Sequence, residues 1–135
     1  MGGENYRGCP RHLRKYLDRL VERVRPRAII LFGSRARGEE DRFSDYDLLV
    51  ISDELPADLW PRLDLLWEDK PVGVDVLGFT VKELEANLHR GLILDALLDG
   101  MALVGDIEDW RQRAVTHLAE AKLVRTPYGY FKAGG

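Results

Sequence analysis

Two aspartates one residue apart, Asp45 and Asp47, stand at the head of an apolar run, Leu48-Leu-Val-Ile51. In an extended chain alternate side chains share a face, so both carboxylates point the same way with Cα atoms roughly 6.5–7 Å apart. Two negative charges at about 5 Å repel by about 3 kcal/mol at an effective dielectric of 20. A divalent cation removes that repulsion, and a donor set made only of oxygens selects Mg2+ or Mn2+ over softer metals. The plainer alternative is a solvated turn, Ser44-Asp-Tyr-Asp47. Asp75 interrupts a second apolar stretch, Val72-Gly-Val-Asp-Val-Leu77. It is a third ligand, or else an acid that sits at a frayed strand end or pairs with an arginine.

A different chemistry is offered by Gly33 and Ser34, which follow the apolar run Ala28 to Phe32 and precede Arg35-Ala-Arg37. Glycine lets a backbone approach a phosphate, a serine hydroxyl donates to it, and free N–H groups at a helix start face it. Arg35 and Arg37 add positive charge. The spacing fits neither a P-loop nor a dinucleotide fingerprint, and taken alone the pair is better read as an ordinary tight turn.

These residues need elements to hold them. Leu13, Leu17, Leu20, Val21 and Val24 recur at helical spacing between His12 and Val24, and Pro26 closes that helix. Ala28–Phe32 is short and rich in branched residues, which predicts a buried strand. A second strand is expected from about Asp45 to Ile51 and a third over Val72 to Leu77. Between them Leu59, Trp60, Leu63, Leu66 and Trp67 mark one side of a helix over 56–69, with both tryptophans assigned to the core. Thr80-Val-Lys-Glu83 matches a capping box, so a helix begins there and stops near Gly91. Leu92–Leu98 is a further short helix closed by Gly100, Met101–Val104 a small edge strand, and Asp106 caps a helix to about Leu123. The tail from Arg125, with Tyr128, Tyr130 and Phe131, is expected to be loosely ordered. The connection between the first two strands is too brief for a crossover helix, so the fold is predicted as α+β, a small mixed sheet packed on helices.

At 135 residues the chain suits one domain, residues 1–135, with a core over about 11–104 and a C-terminal helix at about 106–123. With 45% hydrophobic and 32% charged residues and no long apolar run, no membrane span is expected. The opening residues lack the apolar stretch of a signal peptide, and Cys9 is the only cysteine, which predicts a reducing cytoplasm. The charge is uneven. Residues 11–37 carry nine basic side chains against two acids, whereas 39–69 carry eleven acids against two arginines. Such a division suits a site holding a polyanion and a cation together, as it also suits solvated helix faces. His12, His89 and His117 show no metal-ligand spacing.

The combination is more specific than its parts. Gly33-Ser34, ten intervening residues, then Asp45-x-Asp47 resembles the signature of the minimal nucleotidyltransferases of the DNA polymerase β superfamily. Leu31-Phe32, the Arg35-to-Gly38 segment, Ser44 and the apolar Leu48–Ile51 extend the likeness, and Asp75 falls where that family supplies its third carboxylate. The resemblance implies transfer of AMP from ATP to a hydroxyl. Asp45 and Asp47 would hold two Mg2+ ions, Asp75 would bind one of them and help deprotonate the acceptor, and Gly33 and Ser34 would hold the β- and γ-phosphates with help from Arg35 or Arg37. Members of this family resemble antitoxins that adenylylate a tyrosine of a helical HEPN ribonuclease toxin, and the same partner is implied here. The competing expectations are a non-catalytic antitoxin acting by contact and nucleotidyl transfer to a small molecule. A polymerising role is disfavoured because an acidic chain has no extended basic surface for nucleic acid.

Overall fold

A computed structural model describes residues 6–33 and 45–134. Four strands form one sheet in the order β3-β2-β1-β4: β1 (Ala28–Phe32), β2 (Tyr46–Ile51), β3 (Val74–Phe79) and β4 (Met101–Gly105). β1 is antiparallel to both β2 and β4, while β2 and β3 run parallel. The parallel pair is joined through helix α2 (Leu59–Trp67), the kind of crossover a parallel connection requires. The mixed α+β sheet expected from the sequence is therefore the observed one.

Both faces are covered, which is why all five residues of β1 are buried. Ile29, Leu31, Leu48, Val50, Val74 and Val76 face helix α1 (Arg11–Val24) and Leu66 of α2. Ile30, Phe32, Leu49 and Ile51 face α3 (Val81–Ala86), α4 (Gly91–Asp99) and α5 (Glu108–Ala121). The capping box forms as its four letters predict: Thr80 accepts from the Glu83 backbone, and the Glu83 side chain accepts from the Thr80 N–H. Asp106 accepts from the Glu108 N–H at 2.9 Å at the start of α5.

Two expectations are corrected. In α2 only Leu66 is fully buried, and Trp60 and Trp67 are 72% and 46% exposed rather than in the core. The reason is positional: α2 packs beside β3, the edge strand, and among the described residues no further strand extends the surface it could cover. The tail is not loose either. Residues Leu123–Thr126 (β5) and Gly129–Lys132 (β6) pair as an antiparallel hairpin around Pro127 and Tyr128. Thr126 Oγ1 accepts from the Tyr128 N–H and donates to the Gly129 carbonyl, local bonds that close the turn. Among the described residues no helix is long and apolar enough to cross a membrane.

Candidate active site

Asp47 occupies the second position of β2, the central strand of the three that build the site. Its register partner on β1 is Phe32 and its partner on β3 is Asp75. Paired residues in neighbouring strands share a face and lie roughly 4.8 Å apart, so the sheet itself sets Asp47 and Asp75 side by side. Asp45 stands one residue before β2, beside the turn that enters β3. The Tyr46 N–H donates to the Gly73 carbonyl at 2.8 Å, and Asp45 Oδ1 is 3.9 Å from where a Gly73 side chain would begin.

Gly33 ends β1 on the other side of Asp47. Its φ of 79° lies in the left-handed region, and a Cβ there would stand 2.5 Å from Asp47 Oδ2. The left-handed φ favours glycine here whatever the space, and an added Cβ would also force the Asp47 carboxylate to shift. Ser34, Arg35, Arg37 and Ser44, the remaining predicted site residues, lie outside the described residues.

The electrostatics follow from this crowding. The Asp47 carboxyl is pushed above the usual carboxylate range, first by loss of water and then by the charges of Asp75 and Asp45. None of the three forms an ion pair with a basic side chain among the described residues. The donors are carboxylate oxygens throughout, the kind of ligand that Mg2+ and Mn2+ take. Their side chains are near enough to repel but do not converge on one point. Among the described residues no group of three or more His, Cys, Asp or Glu is gathered for a metal.

A cleft of about 590 Å3 opens beside the carboxylates, lined by Asp47 and Asp75 together with Trp67, Lys70, Leu77 and Leu92. Lys70 and Trp67 were not among the site residues expected from sequence. Lys70 donates from Nζ to the Val74 carbonyl at 2.6 Å, just ahead of Asp75. A basic residue in the turn before an acid-bearing strand was the only local sign of it. Trp67 had none, because its exposure depends on β3 being the sheet edge.

The family description "Nucleotidyltransferase domain" matches residues 13–100, which include every element of the site described above. This chain belongs to that family. Solved structures sharing the fold of this nucleotidyltransferase include a chain from a toxin–antitoxin crystallised with AMP-PNP, 23% identical over 78% of this chain and 84% of that one, at a TM-score of 0.51. A Sulfolobus solfataricus protein described as a nucleotidyltransferase is 17% identical over 67% and 75% of the two chains, at a TM-score of 0.51. A mutant of the toxin–antitoxin MntA-HpeT is 22% identical over 80% and 82%, at a TM-score of 0.50.

Proposed function

We propose that this nucleotidyltransferase moves AMP from ATP to a hydroxyl, a tyrosine on a helical HEPN-type toxin, and so acts as an antitoxin. The observation that carries this reading is the flanking of Asp47 by Gly33 on one side and Asp75 on the other. The toxin–antitoxin setting of two structures that share the fold supports the choice of partner. In this reading Asp45 and Asp47 hold two Mg2+ ions, with Asp75 binding one of them. When bound, the ions neutralise charge on the triphosphate and stabilise the attacking and leaving oxygens of an in-line displacement. Asp75 takes the proton of the acceptor hydroxyl. Gly33, with Ser34, receives the β- and γ-phosphates, and Arg35, Arg37 and Ser44 assist from the same segment. Little covalent chemistry is left to the protein beyond binding and orientation.

Incubation with ATP, magnesium and the HEPN-type partner should add the mass of AMP to that partner. Asp45→Asn and Asp47→Asn should each abolish the addition. Unmodified partner in the presence of wild-type protein that binds ATP would refute the reading, and neutralisation of the toxin that survives Asp45→Asn would leave contact alone as the mode of action.

A further inference from the structure

We infer that the outward side of helix α2 is a docking surface, and that it takes a helix of a partner protein with an apolar stripe flanked by lysine or arginine. This surface is separate from the reaction proposed above, which leaves Leu59, Trp60 and Leu63 without a role.

Residues three and four apart on a helix share a side, so Trp60, Leu63 and Trp67 form a row along α2, with Leu59 beside its start. The inner side of the helix is made by other residues. Leu66 is fully buried, Leu65 packs with it against the core under α1, and Arg62 donates to the Gly78 carbonyl of β3. Leu59, like the two tryptophans, stays exposed, at 60%. One exposed apolar side chain is ordinary on a protein surface, but a row of them on one short helix is not. A helix apolar on every side belongs in an interior, yet α2 lies beside an edge strand with this row turned to water.

Shape and charge decide what covers it. An added strand finds no free row of acceptors on β3, where the carbonyls of Val74, Val76 and Gly78 already accept from Lys70, Trp67 and Arg62. A row at the first, fourth and eighth positions is instead the seam that one helix offers to another. At about 1.5 Å per residue, α2 presents about 13 Å of it, room for two turns of a partner. Asp64 stands one turn beyond Trp60, and Glu68 one turn beyond Asp64, so an acidic row runs along one flank of the seam. Asp64 forms no ion pair among the described residues, and Glu68, 3.5 Å from Arg23, keeps a side chain that is 61% exposed. Two copies of α2 packed antiparallel would set that row against itself, like charge facing like charge. A basic flank on a different protein answers it. Tryptophan is also among the residues that contribute most to binding at the centre of interfaces. Trp67 belongs both to the row and to the cleft that holds Asp47 and Asp75, so a helix docked on α2 ends at the mouth of that cleft.

The test uses the intact protein and two stapled helical peptides of about fourteen residues, labelled for fluorescence anisotropy. One carries a leucine stripe flanked by lysines, the other the same stripe flanked by glutamates. The lysine peptide should bind at least tenfold more tightly. Trp60→Ser and Leu59→Ser, both at exposed positions, should each weaken its binding about fivefold or more without lowering Tm, and Asp64→Asn should narrow the preference between the two peptides. Tyr128→Ser at the exposed tip of the hairpin and Asp109→Asn on α5 should leave binding within about twofold. Equal binding of the two peptides, binding of neither, or a loss in Tyr128→Ser as large as in Trp60→Ser would overturn the inference. So would a concentration-dependent dimer in sedimentation that Trp60→Ser abolishes, since a second copy would then be the occupant. None of these readouts involves AMP transfer or nucleotide affinity, so failure here would leave the proposed function standing.

Discussion

Asp47 has its carboxyl held above its ordinary value of 3.8 by lost water and by two neighbouring acids. A raised value in the folded state means that the native protein holds this proton more tightly than the unfolded chain does. The resulting stability is fully present below 3.8 and is lost as pH rises through the folded value, so at neutral pH the ionised group opposes folding. Asp47→Asn removes both the desolvated charge and the repulsion. In chelator at neutral pH it should melt a few degrees above the wild type, since about 1 kcal/mol shifts Tm by about 4 °C at this size, while it loses magnesium-linked nucleotide binding. A variant that melts lower would show that contacts to the carboxylate outweigh its repulsion. Gly33→Ala should do the reverse, costing about 1–2 kcal/mol through its left-handed φ and its clash with Asp47. Its effect on urea unfolding should be matched by loss of nucleotide affinity. Both residues were readable in the sequence because their chemistry is local: two like charges at a two-residue spacing, and a glycine where a strand ends. Trp67 was not, since its helical spacing fits a core residue and only the sheet order leaves it facing a cleft.

At the level of elements the same division holds. The start of α3 is written in four consecutive residues, and the capping box is found as read. What locks that start to the rest of the molecule is less local. Arg62, near the beginning of α2, makes paired bonds of 2.7 and 2.9 Å to Glu83 and also donates to the carbonyls of Pro56 and Gly78. The partners are up to 21 residues apart, and no spacing rule in the sequence connects them. Arg62 holds the Glu83 carboxyl below its ordinary value of 4.5, with further help from Thr80. For an acid whose folded value is lowered, the stability is complete above 4.5 and is lost as pH falls through the folded value. Glu83→Gln should therefore flatten the acid limb of the stability curve below about pH 4.5, measured by urea unfolding at several pH values. Because the Glu83 side chain is 37% exposed, the pair is partly screened and the change should be modest. Thr80→Ala should cost about 1 kcal/mol at all pH values, as loss of an N-cap does. Arg62→Lys should destabilise almost as much as Arg62→Met, because an ammonium cannot reproduce the paired bonds of the guanidinium.

Across the whole molecule, the mixed sheet was foreseeable because the brief link between β1 and β2 forbids a crossover, whereas the fate of residues 123–132 was not. A two-stranded hairpin is marginal by itself in water, so β5 and β6 need an external support. It comes from α4. Arg125 binds Asp95 at 2.9 Å and Asp99 on the next turn, and the Tyr130 hydroxyl donates to Asp95 at 2.6 Å. The Tyr130 ring also rests near Gly91, 3.7 Å from where a side chain there would begin, and packs against the α4–α5 side of the core. Composition gave no hint of this, since Asp95 and Asp99 read as solvated helix residues until the hairpin is laid on them. The core cluster on that face is otherwise complete without the hairpin. If the hairpin is docked by these polar links, Arg125→Ala combined with Tyr130→Phe should release it while the four-stranded sheet stays folded. Limited proteolysis should then cut within residues 122–132 at least tenfold faster, with the Tm of the remaining chain lowered by no more than a few degrees. Raising the salt concentration should loosen the wild-type hairpin in the same direction, because its ion pairs are partly exposed. A double variant in which cleavage and global melting move together would instead make β5 and β6 part of the cooperative core, and α4, which carries Leu92 into the cleft, would then be held from both of its sides.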